Sequence, residues 1–480
     1  MLHFPENFLF GSSTSHFQVE GIDLEFQRNL SDWSIWTKQN NKIKDSTSPY
    51  PGSAFSLAYA QDIELAYKLN LKAFRFSLNW AYLCPNPPDN LSLAPKLNPE
   101  AVDFYKNIFR LLKQYGLTNF VTLFHFTLPS YLANIGGWTN ELTVTQFALF
   151  AKLVGETFKD EIDYIITINE PMVYVYHSFI SGNWPPGLTN DYYMAFRAMK
   201  NLLKGHGLAY HNLKSIRPFD ISLSKHWRLF KPYNQFNPLD HYVCGLRDEV
   251  FNKGFMNALK SGHLSFPREI CFDRNIANLQ GYIPNIENTL DYLGINFYTQ
   301  DTCQYSLANP YNIFGDIVLK KNTKTNCLGW QLAPEALYQI LTTEIKPYLK
   351  LKNNQTVPVY ITENGYPENH TADNDSGDWS LTDHNRCEYI LSHLKVVHEA
   401  IKTGVDIRSY LYWSLIDNFE WDLGLTPRFG LIRINYANQI RDLRLSARLL
   451  GEIAQKRCIE SHLLNKPLIL PGTILQSKFS

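Results

Sequence analysis

Glu170 closes the segment YIITINEP (164–171) and Glu363 closes PVYITENG (358–365), each a run of apolar and β-branched residues that ends on a carboxylate. A glutamate projected there by a nearly apolar strand costs desolvation free energy unless it has a task. Asn169 precedes Glu170 in its run, and other short apolar runs end on His125, on Asn296 with Tyr298, and on Asp417-Asn418 followed by Phe419-Glu420-Trp421. Arg75, inside AFRFSLNW (73–80), is a guanidinium able to hold one carboxylate ionised, or equally to form a structural ion pair. A single strand-end glutamate is also explained by a salt bridge or a loop amide, and His125 alone by core packing; two glutamates among these partners point to chemistry. No HxH, HExxH or clustered Cys/His pattern argues for a metal, no GxGxxG or P-loop for a nucleotide, and no GxSxG elbow for a serine hydrolase. Two carboxylates without a cofactor, beside aromatic rings and amide donors, are the minimal set for cleaving an acetal. One protonates the leaving oxygen and the other meets the developing cation.

Such a set needs elements that bring distant strand ends together. Eight segments read as strands: NFLFGSS (7–13), AFRFSLNW (73–80), NFVTLFHF (119–126), YIITINEP (164–171), DISLSKH (220–226), YLGINFYT (292–299), PVYITENG (358–365) and RSYLYWSLID (408–417). Between the second and third, Asn98-Pro99-Glu100 supplies an N-cap and a first-turn proline, Val102, Tyr105, Phe109 and Leu112 share a face, and Gly116 stops the helix. Cys387, Leu391, Leu394, Val397 and Ile401 repeat that spacing up to Gly404, and Asp62 to Leu69 makes a shorter version. Strand then helix, repeated eight times, predicts an α/β fold: a single (β/α)8 barrel spanning residues 1–480, whose chemistry sits at the C-terminal strand ends. The stretches 27–58 and 227–290 lack a clear period and read as long βα loops shaping access to the site.

With 45 basic and 45 acidic residues, the chain has no net field to draw nucleic acid or an anionic membrane surface. The N-terminus lacks the basic region and cleavage site of a secretory signal, and no stretch reaches about 18 apolar residues. Seven cysteines at positions 84, 244, 271, 303, 327, 387 and 458 form no CxxC pair, which fits a reducing cytoplasm.

In its ordered motifs the chain resembles the family 1 glycoside hydrolases, the retaining β-glucosidases and β-galactosidases. The matching stretches run from FLFGSSTSHFQVEG (8–21) through RFSLNW (75–80), LFHFTLPSYLANIGGW (123–138), TINEP (167–171), GINFYT (294–299), LGWQLAPEALY (328–338) and YITENGY (360–366) to WSLIDNFEW (413–421) and RFGL (428–431). The resemblance implies a cofactor-free, metal-free exo-glycosidase acting on small β-glycosides or oligosaccharides, with Glu170 as acid/base and Glu363 as nucleophile. It also implies that Gln18, His125, Asn169, Glu420 and Trp421 meet the sugar hydroxyls and that Trp413 lies beneath the ring. Asn296 then orients the site, Tyr298 contacts the nucleophile, and Trp330 receives the leaving group. Retention requires the carboxyls to stand about 5 Å apart, with Glu170 protonated and Glu363 ionised at rest.

Several positions depart from the family pattern. Phe126 stands where a Trp is usual, Ala81-Tyr82 follows RFSLNW in place of Ser-Arg, Asn435 replaces an aspartate, and Arg444-Leu precedes Ser446-Ala447 in place of lysine-aspartate. Two alternatives remain beside hydrolysis of simple β-glycosides. A catalytically silent sugar-binding relative would be expected to have lost a carboxylate. A 6-phospho-β-glycosidase needs a cation near the last motif, where Asp422-Leu-Gly-Leu-Thr supplies no lysine and Glu420 repels phosphate.

Overall fold

The computed structural model describes residues 1–21, 30–271, 273–308, 313, 315–350, 356–369 and 383–464. All eight segments read as strands are strands: β1 (Leu9–Ser13), β2 (Ala73–Ser77), β3 (Thr118–Phe124), β4 (Tyr164–Asn169), β5 (Asp220–His226), β6 (Leu293–Asn296), β7 (Val359–Asn364) and β8 (Ile407–Trp413). Each pairs in parallel with its sequence neighbours, and β8 closes the barrel against β1.

Both faces of the sheet are covered, so the strands are buried on both sides. In β2, Phe74 stacks toward Phe55 of helix α1 (Phe55–Lys68), and Phe76 meets Tyr105 and Phe109 of α2 (Pro99–Gln114). Alternation along the strand therefore turns Arg75 into the barrel. Ala73, Phe120, Ile166, Tyr292, Tyr360 and Leu411 form a separate apolar cluster, in which the Phe120 and Tyr164 rings stack at 4.5 Å.

Helix α2 begins where Asn98 caps the amide of Glu100 and Pro99 takes the first turn, and Gly116 follows it at φ +64°. Its buried stripe runs through Ala101, Tyr105, Ile108, Phe109 and Leu112, with Val102 only half-buried at the edge. Helices α3 (Glu141–Thr157) and α4 (Tyr192–Lys214) follow β3 and β4.

The stretch 227–290 differs from the irregular loop expected. It does leave the C-terminal end of β5, but it carries α5 (Pro238–Asp248), α6 (Gly254–Ser261) and a strand, Leu229–Pro232, that pairs with Gln300–Tyr305. Asn237-Pro238 starts α5 just as Asn98-Pro99 starts α2, but its buried face mixes Asp240 and Arg247 with Val243 and Cys244, so no apolar period announces it. Within 27–58, Ser31 caps the short helix Asp32–Trp36 through a reciprocal bond with Ser34, while residues 27–29 lie outside the described residues. The circuit finishes with α7 (Pro334–Gln339), α8 (His384–Lys402) and α9 (Leu445–Lys456). Residues 465–480 also lie outside the described residues.

Three irregularities in strand register fall where polar side chains leave the barrel: between Ile166 and Asn169, between Ile295 and Asn296, and between Ile361 and Asn364. Such bulges re-aim side chains that a regular pleat would send elsewhere. Among the described residues no helix is long and apolar enough to cross a membrane, and no group of three or more His, Cys, Asp or Glu could hold a metal ion.

Candidate active site

A cavity of about 430 Å³ opens at the C-terminal strand ends, within the usual size range of small-molecule sites. Gln18, His125, Asn169, Glu170, Tyr298, Trp330, Glu363, Trp413, Glu420 and Trp421 all line it. Arg75 and Asn296 are fully buried and hold residues that do.

The two glutamates are joined by one chain of hydrogen bonds. Arg75 donates through Nη1 to Glu363 Oε1 at 2.5 Å and through Nη2 to Asn169 Oδ1 at 2.6 Å. Asn296 Nδ2 donates to the same Asn169 oxygen at 3.1 Å and to Glu170 Oε1 at 2.7 Å. Tyr298 closes the other side of Glu363, its hydroxyl donating to Oε2 at 2.6 Å. Because Arg75 fixes the Asn169 oxygen, the Asn169 amide nitrogen faces His125 and donates to Nε2 at 3.1 Å.

Another part of the wall comes from the segments after β1 and β8. Ser15 donates to Gln18 Oε1 at 2.6 Å, which turns Gln18 Nε2 toward Asn418 Oδ1 at 3.1 Å and Glu420 Oε2 at 3.2 Å. Trp421 takes a left-handed φ of +50° and stacks on Phe17, with His125 and Phe126 against it. Glu170 and Phe126 are likewise left-handed, at +43° and +70°. Three non-glycine residues in that region around one cavity store backbone strain of about 1–3 kcal/mol each.

Burial dominates the electrostatics. It pushes Glu363 up to about 7, with the Arg75 cation opposing and the charge of Glu170 adding to the rise. It likewise raises Glu420, together with the charges of Glu363, Asp422 and Glu170, to about 8. Burial also raises Glu170, but the His226 charge, then hydrogen bonds from His226 and Asn296, outweigh it and hold the group below its ordinary range. That pull depends on an imidazolium, and burial lowers His226 itself. Above the range where His226 is charged, only neutral donors and the more distant Arg75 remain for Glu170, whereas Glu363 keeps a guanidinium in contact at every pH.

The family model of glycosyl hydrolase family 1 matches residues 1–458. The chain belongs to that family. Beta-glucosidase A of Thermotoga maritima is 29% identical over 464 residues, spanning 95% of this chain and 99% of that protein. The family 1 b-glucosidase structure from the same organism superposes with a TM-score of 0.84 at 27% identity, covering 96% of this chain and 99% of that one. A beta-glycosidase structure from Pyrococcus horikoshii gives 0.81 at 31% identity, covering 96% and 97%.

Within this family 1 chain, Phe126 at the usual Trp position packs on Trp184, with ring centroids 4.8 Å apart. Trp184 also contacts Trp33 and Trp421 and donates its indole N–H to Asp422 Oδ1 at 2.8 Å. The sequence reading passed over Trp184, His177, His226 and Arg228, all of which line the cavity. His226 ends a segment read as a strand, but its residue type alone does not separate contact with Glu170 from packing in the core. The absence of a lysine beside Asp422 also needs correcting: Lys44, from a distant loop, approaches Asp422 Oδ2 at 3.5 Å, although it is largely exposed and paired there.

Proposed function

We propose that this chain is a retaining exo-β-glycosidase, β-glucosidase-like, with Glu363 as nucleophile and Glu170 as acid/base, and that the whole chain forms one catalytic unit. The observation that carries the residue roles is the asymmetry of the two carboxyls. Glu363 is gripped on both oxygens, by a permanent cation and a phenol, whereas Glu170 is held on one oxygen by an amide and an imidazole that burial keeps uncharged. The resting proton therefore belongs on Glu170. Glu363 attacks the anomeric carbon as Glu170 gives its proton to the departing oxygen, leaving a glycosyl ester on Glu363. Esterification removes the negative charge beside Glu170, which then takes a proton from water as the ester is hydrolysed.

Gln18, His125, Asn169, Glu420 and Trp421 would meet the sugar hydroxyls, with Asn296 orienting them. Trp413 offers a flat face to the sugar C–H surface. Trp330, half-buried against Tyr298 and Phe429, suits the leaving group. The substrate is then a small-molecule β-glycoside or oligosaccharide. The seven unpaired thiols support a reducing compartment, the cytoplasm.

A 2-deoxy-2-fluoro-β-glucoside should leave an ester on the peptide containing Glu363, read by mass spectrometry. An active preparation without that adduct, or a product of inverted anomeric configuration, would overturn the reading. Across nitrophenyl β-glycosides, preference for a 6-phosphorylated sugar would overturn the assignment to unphosphorylated substrates.

A further inference from the structure

Glu170 Oε1 receives donors from two different strands. Asn296 Nδ2 at the end of β6 lies 2.7 Å away, and His226 Nδ1 at the end of β5 lies 3.1 Å away. Asn296 is itself fixed, because Thr362 Oγ1 donates to its Oδ1 at 2.6 Å. The His226 ring lies nearly parallel to Tyr298 (5.9 Å, 21°) and edge-on to Phe251 (5.9 Å, 90°). Its Nε2 is buried without a hydrogen-bond partner. An orphaned buried N–H is rarer than an orphaned acceptor, so the ring proton belongs on Nδ1, facing Glu170.

We propose that His226 is a positioning residue for the acid/base: together with Asn296 it occupies Oε1 of Glu170 and confines the exchangeable proton to Oε2, aimed at the leaving-group oxygen. This rests on the role assigned to Glu170 above. One oxygen then serves both steps, because Oε2 gives the proton in the first and receives one from water in the second.

The charged and titratable groups facing this pair are Arg75 from β2, Glu363 from β7, Glu420 after β8, Tyr298 after β6 and His177 after β4. Lys225 and Arg228 flank His226, with Asp248 of α5 behind Lys225. Burial, reinforced by Arg228 and Lys225, keeps the imidazole neutral against the pull of Glu170.

His226→Phe keeps a ring against Tyr298 and removes the donor, while His226→Asn places an amide nitrogen where Nδ1 stands. For the Phe variant, the alkaline limb of kcat/KM should move up by about one pH unit. Its kcat/KM for alkyl leaving groups should fall about tenfold or more, with dinitrophenyl substrates spared. The Asn variant should stay close to the parent. Identical profiles for the two variants, or an alkaline limb unmoved in both, would overturn the proposal. Imidazole ¹⁵N shifts of the parent protein, assigned by difference from His226→Asn, give a readout independent of whether the Phe variant folds: a proton on Nε2 also overturns it. Azide rescue of Glu170→Gly on a dinitrophenyl glycoside tests the underlying role separately. No rescue overturns both, whereas rescue with an unmoved limb overturns the His226 role alone.

Discussion

Tyr298 and Arg75 divide the oxygens of Glu363 between them, at 2.6 and 2.5 Å. A hydrogen bond to a charged group contributes about 1.5–3 kcal/mol. Tyr298→Phe keeps the ring against Trp330 and removes only that donor. It should lower kcat/KM about 10- to 100-fold and move the acid limb to higher pH, because the Glu363 anion loses support. A pH–rate profile with an unmoved acid limb would show that the phenol does no more than pack. At this scale Glu170, Glu363, Asn169, Asn296 and Trp421 were legible as residues ending apolar runs, whereas Gln18, Trp330 and Trp413 came only from the family resemblance. His226 was not legible, since a strand-end histidine looks the same whether it packs in a core or touches a catalytic carboxyl. What separates the two is its contact with Glu170, and that depends on a shift in β4–β5 register that no residue type announces.

The elements were legible where a cap, a period and a stop coincide, as in α2, or a period and a stop, as in α8, and lost where charged residues share the buried face, as in α5. Arg444 is instructive here. It is a departure from the family pattern, and it does not line the cavity. Yet it grips Asp417 with two bonds, at 2.8 and 2.9 Å, and its Nη1 also reaches the Gly430 carbonyl. Asp417 is fully buried, and burial is outweighed by the charges of Arg444 and Arg428, which hold its carboxyl below the ordinary range. This pair anchors the start of the loop that presents Asn418 and Glu420. Arg444→Met should cost about 3–5 kcal/mol in urea denaturation, because it strands a buried anion. Arg444→Lys should cost less but still lose one of the two bonds. A Met variant as stable as the parent would mean that Arg428 alone suffices for Asp417.

For the whole molecule, the barrel followed from eight strands alternating with helices, while the built excursion after β5 did not, because its order comes from packing between distant segments. The stability of the molecule against pH is likewise a sum over buried groups of opposite tendency. Burial raises Glu20 and Asp32 to about 7 and lowers His16 to about 3 and His206 to about 4. Glu20 can be isolated from that sum. It accepts from Tyr105 at 2.7 Å and Asn79 at 3.3 Å, and its folded value of about 7 lies above the ordinary 4.5. Folding therefore takes up a proton between those values, and stability present below pH 4.5 is lost as pH rises through 7. Glu20→Gln lacks that loss, so across this window its stability relative to the parent should improve by about 3 kcal/mol. Parallel stability curves from denaturation over a pH series would sink the prediction.

Arg75, inside the barrel between the two carboxyls, has a further consequence for the catalytic cycle. On the roles proposed for the two glutamates, its charge is matched at rest by Glu363, with Glu170 neutral; in the ester, Glu363 is neutral and Glu170 carries the anion. The triad is thus isoelectric before and after glycosyl transfer, and only the location of the negative charge changes. The barrel never has to accommodate a new net charge among these buried groups, so the covalent intermediate is neither an electrostatic trap nor an electrostatic hill.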